Sequence, residues 1–372
     1  MKTFRAAHAT APEWLAAANN CLAQLGSIPP EANFGFLYVT DSFAENLAQI
    51  LAFFKEQTDI AHWVGSLGEA VCATAQEYFD RPAISVMIAD FPPDSFRVFP
   101  AVKSDEHEFP KAIDDWRQQT DAHFAIVHGD PRNPNTPVCI ERIAEAMQGG
   151  FLVGGLSSSR SQDYQIADSV TQGGISGVLF SSNVKVVTAL TQGCSPLGKT
   201  HEITECQDNI AVRLDDRPAL DVFNEDIGEI LARAPERVAG YIFAGFPIKG
   251  SDTGDYVVRN LIGIDPEQKL LAIGDYLNVG DSIMFCRRDS RTAQEDLLRM
   301  LRDIKHRLDG PPKGGVYYSC LGRGPHMFGD NSEELKTIRQ ELGDIPLVGF
   351  FANGEISHNR LYGFTGVLTL FS

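Results

Sequence analysis

A group of polar and glycine residues near the carboxyl end of the chain has the composition of a ligand site. The string Ser319-Cys320-Leu321-Gly322-Arg323-Gly324 follows a predicted strand, and Asn353-Gly354-Glu355 follows the next one. Ligands gather at the ends of strands in open α/β sheets. Glycines let the backbone approach a ligand closely, and a guanidinium forks onto a carboxylate or phosphate. If the two strands are neighbours, Arg323 and Glu355 could hold the two ends of a zwitterion.

Two other interpretations of these residues stay open at this point. Arg323 and Glu355 could instead pair with each other as a structural ion pair. Cys320 could act as a nucleophile with His326 or His358 as its base, although a buried cysteine at a strand end more often behaves as a small apolar residue. On the ligand interpretation, we expect Arg323→Ala to abolish binding and leave the fold intact. The candidate ligand-binding residues here are Cys320, Arg323, Asn353, Gly354 and Glu355.

A second polar group lies after the strands in the middle of the chain. The string Ser157-Ser158-Ser159-Arg160 follows one predicted strand, and His128-Gly129-Asp130 follows the preceding one. Serine hydroxyls and backbone amides at such a position bind anions, but a solvated turn has the same composition. Ser157, Ser158 and Arg160 are therefore further candidate ligand contacts.

The string Gly193–Thr200, GCSPLGKT, matches every fixed position of a phosphate-binding P-loop. A working P-loop needs a helix that starts at the lysine, because the helix N-terminus supplies amides to the phosphates. The residues after Lys199 are instead typical of strand and turn. The sequence therefore favours a Pro-Gly turn between strands over an NTPase that uses Lys199.

Composition and charge exclude several classes of protein. The 372 residues include 49 Asp and Glu against 32 Lys and Arg, a formal charge of −17, which opposes binding to nucleic acid and to anionic lipid. We find no apolar run long enough to cross a membrane and no export signal at the start of the sequence. The 7 cysteines are scattered singly. We therefore expect a cytoplasmic protein with reduced thiols and no membrane insertion.

The elements that must position these residues form an imperfect repeat of strand, loop, helix and strand. Its three copies begin at Phe34, Ala122 and Gly315, and each second strand carries Val-Gly, at residues 64–65, 153–154 and 348–349. We match Leu37 of the first copy to Ile126 and Tyr318 of the others, and we expect Asn331 or Ser332 to cap the helix of the third copy.

Short strands that alternate with helices predict a mixed α/β fold, in which helices pack on mixed β-sheets. Further strands and two helices, at 219–233 and 291–308, are predicted between the second and third copies. The prolines between residues 215 and 236 favour a division of the chain there. We predict two domains, 33–235 and 236–372.

The strings TQGCSPLGKTHEIT, RPALDVF, SCLGRG and VGFFANGEI resemble the FIST sensory proteins, which combine a FIST N domain with a FIST C domain. The resemblance covers nearly the whole chain, and its ordered set of strings is specific. It implies an intracellular sensory or signal-transduction protein that binds a small ligand, an amino acid or related metabolite, and is more consistent with a sensor than with an enzyme. The family pattern contains Gly193, Pro196 and Gly198 without a role for Lys199, which argues further against nucleotide binding.

The same resemblance raises two further expectations. Some relatives are haem-based nitric oxide sensors, and one axial imidazole, such as His128, His201 or His358, suffices to ligate haem iron. A eukaryotic F-box protein carries the same pair of domains. Since the sequence shows no kinase, cyclase or DNA-binding segment, we expect the chain to signal through a separate protein or to act alone.

Overall fold

Apolar runs of this chain form buried strands, and amphipathic segments between them form helices that pack on the sheets. The computed structural model describes residues 1, 3–104, 109, 111–147, 149–228, 240–248 and 256–372. Its α-helices are α1 (Trp14–Leu25), α2 (Leu47–Thr58), α3 (Lys111–Gln119), α4 (Thr136–Ala146), α5 (Ala219–Ile227), α6 (Ser290–Arg307), α7 (Pro325–Phe328) and α8 (Glu333–Leu342), and a 3₁₀ helix spans Asp41–Asn46.

The strands lie in two compact units, a first unit of residues 1–191 and 295–372 and a second unit of residues 192–294. In chain order they are β1 (Phe4–Thr10), β2 (Phe34–Thr40), β3 (His62–Gly68), β4 (Ala70–Ala73), β5 (Gln76–Tyr78), β6 (Ala83–Ala89), β7 (Phe96–Val102), β8 (Ala122–Gly129), β9 (Phe151–Leu156), β10 (Gln165–Ala167), β11 (Ser169–Thr171), β12 (Ile175–Ser181), β13 (Val186–Gln192), β14 (Cys194–Gln207), β15 (Ile210–Leu214), β16 (Arg217–Pro218), β17 (Ile242–Pro247), β18 (Tyr256–Asp265), β19 (Leu270–Ile273), β20 (Ser282–Arg288), β21 (Gly314–Cys320), β22 (Leu347–Ala352), β23 (Glu355–His358), β24 (Arg360–Tyr362) and β25 (Thr365–Phe371).

The first unit contains three sheets of six strands that share one plan. Their strand orders are β1-β6-β2-β3-β10-β11, β7-β12-β8-β9-β23-β24 and β13-β25-β21-β22-β4-β5. In each sheet the first two strands of one repeat copy pair in parallel. The first of these two strands also pairs, along its other edge, with an antiparallel strand. The predicted repeat and the mixed α/β class are therefore confirmed.

Each copy contributes a hairpin to the sheet of another copy. The hairpin β4–β5 of the first copy pairs with β22 of the third, and β23–β24 of the third pairs with β9 of the second. The hairpin β10–β11 of the second copy completes the cycle on β3 of the first. Because every sheet includes strands of two copies, the three copies form one cooperative structure.

The predicted register between copies is wrong in the first strands. Ile126 pairs with Val153, and the equivalent pairs are Phe36 with Val64 and Val316 with Val348. The predicted matches Leu37 and Tyr318 are therefore displaced by one and two residues. The Val-Gly match of the second strands is correct, because Gly65, Gly154 and Gly349 all lie where a Cβ atom would come within 1.8 Å of the carbonyl oxygen of the opposite strand.

One apolar core joins the three sheets of the first unit, with phenylalanines from all three copies. Tyr38, His128 and Tyr318 occupy equivalent places in β2, β8 and β21, and they meet inside this core. The Tyr38 hydroxyl lies 2.7 Å from the Tyr318 hydroxyl and 3.2 Å from His128 Nε2. Burial lowers the pKa of His128 to about 3, so its imidazole is neutral.

The second unit is a ring of six strands closed by hydrogen bonds. The order β14-β20-β17-β18-β19-β15 returns to β14, and β16 adds to β15. Helix α5 packs its buried face on this ring. The predicted helix at 219–233 is described as far as Ile227, and the predicted division at 235–236 lies outside the described residues and stays a prediction.

No helix in the described part of the chain is long and apolar enough to cross a membrane. The seven cysteines form no disulfide bond.

Candidate functional site

The two strands that end at the predicted ligand loops are neighbours. β21 and β22 pair in parallel with Cys320 opposite Ala352, and the amide of Leu321 donates to the carbonyl of Ala352 over 2.9 Å. The loops that follow, residues 321–324 and 353–354, therefore start side by side at one edge of the sheet. This is the arrangement that the sequence predicted.

The Arg323 guanidinium is completely buried at this edge. Its Nε donates to Oε1 of Glu334 over 2.8 Å, and Nη1 lies 3.5 Å from the carbonyl oxygen of Phe364. The guanidinium carbon lies 4.9 Å from the centre of the Phe328 ring, which covers it from α7. Nη2 has no hydrogen-bond partner among the described residues. Arg323 thus has one unused donor in a dry environment.

Glu334 is the counter-charge of Arg323, a partner that the sequence pattern does not indicate. Its carboxylate also accepts hydrogen bonds from the Tyr317 hydroxyl (2.7 Å), the Ser319 hydroxyl (3.1 Å) and the Gly324 amide (3.0 Å). An acidic residue in the first turn of a helix normally faces water. Here the first turn of α8 packs against β21, so Glu334 is fully buried.

Glu355 is also fully buried, but Arg323 and Glu355 do not form the direct ion pair considered above. Its Oε2 accepts from the amide (3.1 Å) and hydroxyl (2.8 Å) of Thr365, and its Oε1 has no partner in the described structure. Burial raises the pKa of Glu355 to about 8, and the Thr365 donors and the Arg323 charge offset only part of that shift. Near neutral pH this carboxyl group is mostly protonated.

The Cys320 thiol lies beside these groups without being activated. Burial, followed by the charge of Glu355, raises the pKa of Cys320. A nucleophilic cysteine needs the opposite shift, because the thiolate is the reactive form. The geometry therefore gives no support to a thiol enzyme at Cys320.

A third buried acid, Glu77, extends the cluster toward the start of α8. Its Oε1 accepts from the Leu335 amide over 3.3 Å, so Glu77 caps this helix from strand β5. Ser332 stands at the N-cap position as predicted, but its side chain does not cap the helix. Its hydroxyl instead accepts a hydrogen bond from the Glu77 amide over 2.9 Å. Burial and the nearby Glu334 raise the pKa of Glu77 to about 8.

Ser157, Ser158, Asn353 and Gly354 come together where strands of different copies meet. The Ser157 hydroxyl donates to Leu67, and the Ser158 hydroxyl donates to a main-chain carbonyl of β22. The Asn353 amide donates to the carbonyl of Leu156 over 3.0 Å, and the Leu156 amide donates to Gly354 over 2.9 Å. These groups already hold the strand ends together.

Arg160 lies apart from the cluster on the surface, with 54% of its side chain exposed. Its Nε donates to Asp41 over 2.9 Å, and Nη1 lies 3.3 Å from Asp80 and 3.7 Å from Glu69. The guanidinium is thus occupied by surface carboxylates. The structure brings together Arg323, Glu355 and Cys320, with Glu334 and Glu77 as further members of what we call the buried acid cluster.

Models of two protein domains match most of this chain. The FIST N domain matches residues 33–217 and the FIST C domain matches residues 219–358. This chain belongs to the FIST family. FIST domains are sensory and signal-transduction domains whose ligand is not known.

Two mycobacterial relatives of this FIST chain are described as uncharacterised proteins. A protein of Mycobacterium tuberculosis is 29% identical over 342 residues, which cover 89% of this chain and 88% of the relative. A protein of Mycobacterium bovis is 28% identical over 345 residues, or 88% of this chain and 87% of its own length. Among solved structures, T. maritima PurL complexed with ADP aligns with 99% of this chain and 71% of its own. At 12% identity and a TM-score of 0.22, that likeness carries no argument.

Two of the three histidines considered for haem in this FIST chain do not fit the role of axial ligand. Both ring nitrogens of His201 face carboxylates, with Nδ1 2.8 Å from Asp215 and Nε2 2.9 Å from Asp226. His128 is fully buried against Tyr38 and Phe350, with ring centres 5.5 and 6.0 Å away, so a porphyrin would have to displace core residues. The third, His358, is exposed at the end of β23, with its ring 5.7 Å from that of Phe151.

The P-loop hypothesis is wrong for this FIST chain. Strand β14 runs from Cys194 through Lys199 to Gln207, so the lysine begins no helix. The Lys199 ammonium is exposed and lies 3.2 Å from the carboxylate of Asp215. A phosphate would find neither the helix N-terminus nor an unoccupied lysine at this place.

Proposed function

We propose that this FIST protein senses a small zwitterionic ligand, an amino acid or a related metabolite, at the buried acid cluster. The observation that carries the proposal is a pair of unused hydrogen-bonding atoms, one a guanidinium donor and the other a carboxyl oxygen. Arg323 Nη2 and Glu355 Oε1 are both buried and both without a partner in the described residues. Such atoms cost about 1–3 kcal/mol each when left unsatisfied, so a ligand that pairs them gains that energy.

The chemistry of an α-amino acid is complementary to these two atoms. A ligand carboxylate accepts from Arg323 Nη2 while Arg323 Nε keeps its bond to Glu334. A ligand ammonium donates to Glu355 Oε1, which requires the ionised form of that acid. Because the pKa of Glu355 is about 8 in the unliganded protein, binding near neutral pH releases a proton from Glu355 to solvent.

Ligand binding at the buried acid cluster requires a conformational change. Arg323 and Glu355 are both fully buried, and the Phe328 ring lies over the guanidinium. A ligand that reaches Arg323 therefore has to displace α7, which is flanked by Gly324 and Gly329, both with positive φ. Movement of this short helix would give the protein a state that a separate signalling partner can recognise.

The location and the other partners stay predictions. We continue to expect a cytoplasmic protein that transmits its signal to a second protein and binds neither nucleic acid nor membrane. The negative charge of −17 supports the last expectation.

A panel of amino acids tested by thermal shift and calorimetry would examine the proposal. A ligand at about 100 times its Kd adds about 2.7 kcal/mol to the stability of the native state. We expect at least one panel member to stabilise the wild type, and Glu355→Gln and Arg323→Lys to remove most of that effect. Arg160→Gln is the matched control, because it removes a guanidinium outside the cluster.

Two results would overturn the proposal. The first is that no amino acid or related zwitterion stabilises the folded wild-type protein. The second is that Glu355→Gln, with its circular dichroism spectrum unchanged, binds the stabilising ligand as tightly as the wild type does. Calorimetry in two buffers of different ionisation enthalpy adds an independent check, since the proposed site releases a proton on binding.

A further inference from the structure

The inner face of the ring in the second unit carries two polar side chains at one end. Ser195 of β14 lies directly opposite Arg287 of β20, and Ile242 of β17 lies opposite Arg287 on its other side. Residues directly opposite each other in antiparallel strands share a face of the sheet. Ile242 and Phe285 belong to the apolar core that fills the ring. Ser195 and Arg287 therefore project toward the interior, at its rim.

Both side chains keep an unused donor at this place. The Ser195 hydroxyl and Arg287 Nε are buried atoms without a hydrogen-bond partner among the described residues. Elsewhere on the guanidinium, Arg287 Nη2 lies 3.4 Å from Oδ2 of Asp289. A buried donor without an acceptor costs free energy, and two adjacent ones favour a ligand that offers acceptor oxygens to both.

The local charge favours an anion in spite of the acidic composition of the chain. Arg287 and Arg291 lie four residues apart, with Asp289 as the acid between them. The Asp289 carboxylate already accepts from the Thr292 amide over 2.8 Å, and its pKa is lowered by that bond and by the charges of Arg287 and Arg291. Arg287 and Arg291 thus place two positive charges around one carboxylate that is already hydrogen-bonded.

We propose that the second unit binds an oxyanion, a phosphate or carboxylate group of a small molecule, between the Ser195 hydroxyl and Arg287 Nε. The hydroxyl and the Nε–H both donate to oxygens of the anion, and the guanidinium supplies its charge. The mouths of closed strand rings are common ligand sites, since the interior packing fixes the polar groups around them. Ser195 belongs to the string Gly193–Thr200, so part of that string would contact an anion from a strand.

Isothermal titration of the full chain with inorganic phosphate, and separately with acetate, tests this site. We expect one of the two probes to bind the wild type with a 1:1 stoichiometry. Ser195→Ala and Arg287→Gln should each weaken that binding by about tenfold or more, the loss expected for one hydrogen bond to a charged group. Arg217→Gln, which removes an exposed arginine of the same unit, should leave the affinity unchanged.

The two probes and a second arginine variant make the outcome decisive. Phosphate binding without acetate binding identifies a phosphoryl group, and the reverse identifies a carboxylate. Arg287→Lys keeps the charge but removes the Nε–H, so it separates a hydrogen-bonded site from general attraction to the basic rim. The proposal is overturned if neither probe binds at millimolar concentration, or if folded Ser195→Ala and Arg287→Lys both bind as tightly as the wild type.

Discussion

Replacing Arg323 by methionine should strongly destabilise the first unit, because the carboxylate of Glu334 would stay buried without its counter-charge. Both side chains are fully buried, and Nε of Arg323 lies 2.8 Å from Oε1 of Glu334. The remaining donors to Glu334, from Tyr317, Ser319 and Gly324, are all neutral. Removing one partner of a buried ion pair costs about 3–5 kcal/mol. That is a large part of the ~5–15 kcal/mol by which a domain is stable.

This estimate revises the expectation from sequence that Arg323→Ala leaves the fold intact. That expectation assumed a partly exposed arginine, whereas the side chain has no accessible surface. Arg323→Lys is the milder variant for binding studies, since its ammonium still balances Glu334.

Urea unfolding followed by tryptophan fluorescence measures the effect in the correct unit. Trp14, Trp63 and Trp116 are the three tryptophans of the chain, and all of them lie in the first unit. We expect Arg323→Met and Glu334→Gln each to lower the free energy of unfolding by about 3 kcal/mol or more. The double variant should be less destabilised than the sum of the single variants by at least about 2 kcal/mol.

The refuting results are equally specific. A loss below about 1 kcal/mol for Arg323→Met would mean that the ion pair resembles an exposed one. Additivity of the two substitutions would mean that the two side chains do not interact, contrary to the 2.8 Å contact.

Three further outcomes are expected in the first unit. The stability of this unit should fall as pH rises from about 4.5 to about 8. The pKa of Glu355 is about 8 in the folded protein, against an ordinary value of 4.5. An acid with a raised pKa favours the folded state only while it is protonated, so this contribution is lost as the pH rises through that range. Urea midpoints across this range measure the fall, which Glu355→Gln should reduce. Gly349→Ala should prevent folding, since its Cβ would lie 1.8 Å from a carbonyl oxygen, whereas Gly310→Ala, with open space around it, should not, as circular dichroism will show. Tyr38→Phe should cost about 1–2 kcal/mol in the same urea assay by leaving the Tyr318 hydroxyl without its 2.7 Å partner.

The repeat was predictable from sequence because each copy builds its strands and helix from local signals. The helix predicted at 291–308, for example, is observed at Ser290–Arg307. The exchange of hairpins between copies was not predictable, because a short strand carries no local signal of which sheet it joins. The register error in the first strands has the same origin, since those strands are buried on both faces and show no alternation.

The meeting of the two strand ends was predictable because backbone direction decides it, whereas the buried acids depend on tertiary packing. Adjacent parallel strands had to bring residues 320 and 353 to one edge, and they do. Glu334 and Glu77 were not identified, because an acid in a helix N-terminal turn or a short polar strand normally faces solvent. Arg160 was misjudged for the converse reason: its partners Asp41 and Asp80 lie 119 and 80 residues away in sequence.

The repeat also allows a comparison, within one molecule, of what the fold requires at the position of Glu355. This residue lies opposite Gly155, and the equivalent positions in the other two hairpins hold Gln165, opposite Ser66, and Val71, opposite Phe350. Gln165 satisfies its amide with Gly174 and Ser176, and Val71 packs in the shared core. The same backbone is thus built with an amide and with an apolar side chain. An acid with an unpartnered oxygen at this position is more costly than either alternative, so the fold does not account for it. This comparison supports Glu355 as the contact of the proposed ligand, in preference to Ser157 and Ser158, whose hydroxyls already join the strand ends.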